Sequence, residues 1–231
     1  MINIDSEIHL YITKPEEVET SDLRKYKDLL SSDEIERHDR FKFDNLKNNF
    51  LITRALVRTT LANYLGCDPK SLKFETNSYG KPSLRGISFN LSHTDGLIVL
   101  AITGSKKIGV DTENLNRNIT DIDIAKRYFA EPEYHEIKAC SEIDRKYKFL
   151  EFWTLKESYI KAVGKGLSIP LDKFYFKIKG DEIKIHTKED SLSWQFKMSK
   201  INDSHLIALA FEGAEMPDIR TYQTIPMVKI L

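Results

Sequence analysis

Apolar positions change period several times along the chain, and each change predicts an element. An apolar run at residues 8–12 reads as a short strand. Residues 31–37 (SSDEIER) open with capping chemistry, Ser31 or Ser32 serving as the cap of a helical turn. A long helix is predicted over residues 45–65, where Leu46, Phe50, Val57, Leu61 and Tyr64 form a wide stripe. Asp44 caps its start and Gly66 follows its end. The period then shortens. Residues 72–75 read as a short strand, 77–82 as turn chemistry, and 87–91 with 97–103 as a strand pair joined by the polar loop 92–96. Residues 108–112 form another strand. Thr120, with Asp123 three residues on, predicts a capped helix ending near Phe129, and residues 130–141 read as a loop or broken helix. A second long helix, residues 144–163, carries Phe149, Phe152, Trp153, Tyr159, Ile160 and Val163 on a broad face and stops at Gly164. Four alternating stretches, 174–178, 182–186, 194–198 and 206–211, predict an antiparallel meander.

No repeat of fixed period is visible, yet each half reads as one long helix plus several antiparallel strands. The halves meet near residues 104–110. That predicts an α+β fold with two similar lobes, 1–106 and 107–231.

A chain of 231 residues buries a sizeable core without a disulfide or metal staple. Lys plus Arg and Asp plus Glu are 35 each, a net charge of zero, which argues against a nucleic-acid partner. Cys67 and Cys140 lie far apart and form no CxxC, so a reduced, cytoplasmic setting is expected. Residues 1–10 lack the basic and apolar regions of a signal peptide, and no stretch approaches the roughly 18 apolar residues of a membrane span.

Three clusters carry candidate chemistry. In Gly109-Val110-Asp111-Thr112-Glu113, strand periodicity puts the two carboxylates on one side, an oxygen set suited to a hard cation such as Mg²⁺. The bland reading is a solvated strand end. In Trp153-Thr154-Leu155-Lys156-Glu157-Ser158-Tyr159-Ile160-Lys161, Glu157 and Lys161 are four apart on one helix face. Alone that is an exposed ion pair; beside Asp111 and Glu113, a third carboxylate and a cation suit a metal and phosphate site. In Phe89-Asn90-Leu91-Ser92-His93-Thr94, no GxSxG elbow surrounds Ser92, so the serine and histidine point to phosphate binding or to a plain turn, not to a nucleophile. From Arg37 to Arg58 six basic residues face two acids, which is either a solvated helix face or a surface for an anionic ligand or acidic partner. Gly164-Lys165-Gly166-Leu167-Ser168 lacks the glycine spacing of a P-loop and follows a helix, not a strand.

Together with Tyr79-Gly80-Lys81-Pro82 and the run through Gly164-Lys165-Gly166-Leu167, these motifs resemble, in order and spacing along nearly the whole chain, the Sfp-type 4′-phosphopantetheinyl transferases. The resemblance implies a pseudo-dimer of two α+β lobes with coenzyme A, the substrate, in the cleft between them. It implies magnesium-dependent transfer of the 4′-phosphopantetheine arm to a serine of an acyl or peptidyl carrier protein, with release of adenosine 3′,5′-bisphosphate. Manganese is an alternative metal, and a monomer is expected. Position by position, Asp111, Glu113 and Glu157 resemble the metal ligands, and Lys161 the lysine on the pyrophosphate. Lys81, Ser92 and His93 resemble coenzyme A contacts, His93 near the 3′-phosphate, and Arg37 falls where a basic residue serves that phosphate. Glu157 is also a candidate general base, in competition with a water held by Glu113 at the metal. Trp153 is expected to be structural, and Lys156 to support the site from behind. Glu34 stands where some relatives carry a lysine and Asn49 replaces a basic residue, changes that weaken phosphate binding unless Arg40 or Arg54 compensates. Residues 37–58 are expected to help steer an acidic carrier, with Arg54 and Arg58 among the contributors.

Two other classes remain. A metal-dependent nuclease also uses clustered carboxylates and a lysine, but Glu113 is followed by Asn114-Leu115 and not by the E-x-K pattern. A module that binds coenzyme A or a carrier without catalysis is opposed by the acidic triad and Lys161.

Overall fold

A computed structural model describes residues 4, 6–117, 121–188, 190–227 and 229–230. The chain begins with β1 (Glu7–Thr13), then three helices, α1 (Thr20–Lys27), α2 (Ser32–Asp39) and α3 (Asp44–Leu65). In α2 the capping box is present: Glu34 Oε2 accepts from the Ser31 backbone N–H at 3.0 Å. Phe43, not Asp44, holds the cap position of α3, and Gly66 ends the helix at φ 63°.

Two-residue strands β2 (Glu75–Thr76) and β3 (Pro82–Ser83) flank the 77–82 turn. Then come β4 (Ser88–Thr94), β5 (Leu97–Thr103) and β6 (Ile108–Asn114). The expected loop at 92–96 shrinks to a two-residue turn, Asp95-Gly96, because Gly96 takes φ 81° and the ladder continues through Thr94 opposite Leu97. Ser92 and His93 are therefore strand residues. Three helices follow, α4 (Asp121–Tyr128), α5 (Glu131–Ala139) and α6 (Glu142–Val163). The expected Thr120 cap lies outside the described residues. Of the two readings of 130–141, the broken helix is the one observed, helical over Glu131–Ala139: Pro132 sits in the first turn, where its missing N–H costs nothing.

The remaining strands are β7 (Phe174–Lys179), β8 (Glu182–Thr187), β9 (Trp194–Ile201), β10 (His205–Glu212), β11 (Asp218–Ile225) and β12 (Lys229–Ile230). They do not form one meander. β7 and β8 make a separate ribbon, and β9 pairs with β10, which pairs with β6. The main sheet runs β12-β11-β1-β5-β4, so the end of the chain returns to the first sheet, β11 lying parallel to β1.

The core explains this layering. Ile98, Leu100 and Ile102 of β5 face α3, while Leu97, Val99 and Ala101 face Ile207, Leu209 and Phe211 of β10. Ala208 and Ala210 of β10 turn the other way, toward α6. The order is thus α3, first sheet, second sheet, α6. β5 is apolar throughout because both its faces are buried. No helix among the described residues is long and apolar enough to cross a membrane.

Candidate active site

The site forms where the two sheets meet edge to edge at β4 and β6. No backbone ladder joins these strands; side chains do. Val110 N donates to Asn90 Oδ1 at 2.8 Å and Thr112 N to Ser92 Oγ at 3.3 Å. The free edge of β6 is thereby satisfied, and Asp111 is held between β4 and α6.

Alternation along β6 decides the rest. Ile108 and Val110 enter the core between the sheets, and Gly109, Asp111 and Glu113 face α6. Asp111 Oδ1 accepts from Lys161 Nζ at 2.6 Å and from Ser92 Oγ at 2.9 Å, and Lys161 Nζ also donates to Ser92 Oγ at 3.0 Å. The ion pair of Lys161 is therefore made with Asp111, across elements, not along its own helix with Glu157. Asp111 is 5% exposed, and its Oδ2 is buried with no hydrogen-bond partner. Glu113 is buried and paired with Arg117, a residue that sequence reasoning missed.

All three carboxyls titrate high. Burial raises Asp111 against the pull of Lys161. Burial, and then the charge of Asp111, raises Glu113 although Arg117 opposes it. Glu157, half-buried on α6, is pushed up to about 7 by burial and then by the charge of Asp111, with Glu113 adding to it. Mutual repulsion among carboxylates and an orphaned buried oxygen are the features a divalent cation relieves, and oxygen donors suit a hard one. These residues fit such an ion by chemistry, although among the described residues no three His, Cys, Asp or Glu side chains are gathered closely enough to enclose one.

His93 alternates to the opposite, exposed side of β4 from Ser92. Partial desolvation, and then the positive charges of Lys161 and Arg37, lower its pKa. Beside α3 lies a cavity of about 460 Å³ whose lining includes Arg37, Phe50, Arg54, Lys73 and Phe74. Arg37 stacks over Phe50 with its guanidinium 5.6 Å from the ring centre. Glu34 at the cavity wall is no loose substitution: it pairs with Arg54 and, at 2.8 Å, with Arg58 Nε. Arg58 is 1% exposed and also donates to the carbonyls of Pro69 and Leu72. The expectation that Arg54 and Arg58 steer an outside partner is thus corrected, since both are built into the wall. Asn49, on the same helix, is half-buried.

Two further lysines are committed to structure. Lys81 Nζ donates to Ile108 O at 3.2 Å and Ala162 O at 3.1 Å. Lys156 does not support the site from behind, because it sits on the opposite flank of α6 from Asp111. It pairs with Glu133 at 2.7 Å and donates to Leu171 O and Phe174 O, each at 2.7 Å, with pair and surroundings fully buried. Trp153 stacks on Phe129 and Phe149, in keeping with a structural role.

The profile of the 4′-phosphopantetheinyl transferase superfamily matches residues 107–210, and that of the N-terminal part of 4′-phosphopantetheinyl transferase matches residues 17–105. The 4′-phosphopantetheinyl transferase HetI of Nostoc sp. is 36% identical over 172 residues, 71% of this chain and 72% of that protein. The chain belongs to the 4′-phosphopantetheinyl transferase superfamily. A 4′-phosphopantetheinyl transferase of Bacillus subtilis is 39% identical over 155 residues, 66% of this chain and 68% of that one. The transferase Sfp of Bacillus subtilis is 27% identical over 213 residues, 90% of this chain and 93% of its own. Among solved structures, a holo-(acyl-carrier-protein) synthase from Bacillus anthracis in complex with coenzyme A (3′,5′-ADP) aligns with a TM-score of 0.42 and 19% identity, covering 48% of this chain and all of that one. In this transferase, then, the motifs that carried the resemblance supply Asn90, Ser92, Asp111 and Lys161 to the β4–β6 junction, and their other residues lie around it.

Proposed function

We propose that this transferase moves the 4′-phosphopantetheine group of coenzyme A to a serine of an acyl or peptidyl carrier protein, with Mg²⁺ bound by Asp111, Glu113 and Glu157. The observation that carries the reading is the buried Asp111–Lys161–Ser92 cluster with its unpaired Asp111 oxygen and two further carboxyls of raised pKa. The metal, when bound, supplies charge neutralisation for the pyrophosphate. Lys161, half-exposed and anchored on Asp111, offers its remaining donor to a phosphate oxygen at the same place. Arg37 lines the basic cavity next to α3, which takes the adenosine 3′-phosphate end, and His93 lies within reach of the charge of Arg37.

The carrier serine hydroxyl attacks the β-phosphorus. A new P–O bond forms to serine, the bond to the α-phosphate oxygen breaks, and adenosine 3′,5′-bisphosphate leaves. The group that takes the serine proton is Glu157 or, in competition with it, a water held by Glu113. The catalytic contribution of the chain is placement and fixed charge. Two lobes, 1–106 and 107–231, each with a 22-residue helix on a sheet, form the pseudo-dimer in this reading, β11 strapping the second lobe back onto the first. The chain works as a monomer in the cytoplasm, where Cys67 and Cys140 stay free.

The test is the intact mass of an apo carrier after incubation with coenzyme A and Mg²⁺, with and without chelator. The expected result is a gain of one phosphopantetheine that the chelator abolishes. Asp111→Ala and Glu157→Ala should remove the gain while keeping a cooperative thermal melt; activity in either variant refutes the assignment.

A further inference from the structure

The turn at 77–81 does more than reverse the chain. Asn77 Oδ1 accepts from the backbone N–H of Tyr79 and of Lys81, each at 2.9 Å, and Asn77 N donates to Lys81 O at 3.1 Å. The turn is thus a rigid knot, and two groups project from it. Asn77 Nδ2 donates to Gly164 O at 2.7 Å, just past the end of α6. The Lys81 ammonium donates to Ala162 O in the last turn of α6 and to Ile108 O at the first residue of β6. Gly164 lies so close to the Lys81 stem that a Cβ there would come within 2.9 Å of Lys81 Cδ.

We propose that Asn77 and Lys81 are positioning residues: together they clasp the end of α6 to the start of β6 and thereby set the register in which Lys161 meets Asp111. The two elements joined by the clasp are the two that carry the catalytic charges. Lys161 lies one residue before Ala162, and Asp111 three after Ile108. A C-terminal carbonyl of a helix lacks an intrahelical donor and carries partial negative charge, so an ammonium is the fitting cap. The geometry also gives Lys81 a structural task first, because two of the three donors of its ammonium go to protein carbonyls. Partial burial, and then the charge of Lys107, lower its pKa to about 8.

This inference deepens the transferase reading and rests on it for its kinetic arm. The experiment compares Lys81→Met and Asn77→Ala with the parent protein in three measurements: kcat and KM with an apo carrier, coenzyme A affinity by calorimetry, and hydrogen exchange of the backbone amides at 160–164. For both variants kcat should fall about tenfold or more, as displacement of reacting groups does. Coenzyme A affinity should stay within about twofold, and exchange at 160–164 should quicken relative to α3. Lys81→Arg, which keeps a charged donor, should recover part of kcat. A large loss of coenzyme A affinity in Lys81→Met, with kcat retained, overturns the proposal and makes Lys81 a ligand contact. Unchanged exchange at 160–164 overturns it as well. That last readout needs no turnover, so failure of the clasp and failure of the transferase assignment give different results. Should Lys81→Met not fold, the smaller change at Asn77 carries the same three measurements.

Discussion

The contact that most tightly fixes the site is one with no side chain on the strand. A Cβ added at Gly109 would lie 2.0 Å from Ser158 O, 2.4 Å from Ala162 N and 2.9 Å from Ala162 Cα, all backbone atoms of α6. No rotamer change relieves such a clash. Ordinary contact begins near 3.4 Å, so in Gly109→Ala helix and strand must part by about 1.4 Å at this point. Asp111 sits two residues along β6 and Lys161 three residues beyond Ser158, so their 2.6 Å ion pair opens with the gap. Overfilling of this kind costs about 1–3 kcal/mol, occasionally more. For a chain of this size that is a fall in Tm of roughly 2–12 °C. A misplacement of about 1 Å costs on the order of 10²-fold in rate. Gly109→Ala is therefore expected to melt lower yet cooperatively, and to modify an apo carrier about a hundredfold more slowly, followed by intact mass over time. A variant with parental rate and parental Tm would show that β6 does not bear on α6 as described, and the argument for Asp111 placement would fall with it.

Other consequences follow from buried groups and from surface charge. Lys156→Met leaves the fully buried Glu133 without its cation, which costs about 3–5 kcal/mol. Burial holds Glu133 up at about 7 against the pull of Lys156, so without that cation its folded pKa rises further above the unfolded value; stability of the variant then keeps falling as pH rises past 7, and its deficit should be greater at pH 8 than at pH 6. Thermal melts at the two pH values giving equal deficits would contradict this. Asn90→Ala removes the acceptor for Val110 N and should cost about 1–3 kcal/mol in denaturant melts, with a parallel loss of transfer; stability unchanged would mean that water replaces the amide at no cost. Lys42→Glu with Lys47→Glu alters the part of the basic segment that is not built into the cavity wall, and should raise the carrier KM about tenfold at low salt and less at high salt. A salt-independent KM would remove residues 37–58 from carrier docking altogether.

How far the sequence could be read depended on whether the signal was local. The two 22-residue helices announced themselves because a wide apolar stripe ended in a glycine in each case, and both glycines take the left-handed turn. The shared face of Asp111 and Glu113 was legible from strand alternation alone. Short amphipathic pieces were not: α1 is eight residues long with two buried positions, Asp22 and Tyr26, too few for a periodic signal. Pro132 reads as a breaker by composition and as a helix starter only once its position in the first turn is known. β11 gives a weak signal because only Thr224 of its residues is buried, and its partner β1 lies more than 200 positions away.

The same divide runs through the site. Residues proposed to act by their own chemistry, such as Asp111, Glu157 and Lys161, stood out by type and spacing, whereas residues that join elements did not. Asn90 and Ser92 make the point together. Both lie on β4, both turn toward β6, and both accept backbone N–H groups that an ordinary sheet would give to a neighbouring strand. In sequence Ser92 looks like the polar start of a turn, and Asn90 like an ordinary polar position on a strand. In the fold they take the place of a ladder, so that β4 and β6 meet without merging into one sheet. A continuous ladder there would turn Asp111 into an ordinary inter-strand residue. With side chains in the seam, Ser92 reaches the aspartate and the lysine at once, and the three groups are held together across two sheets and a helix.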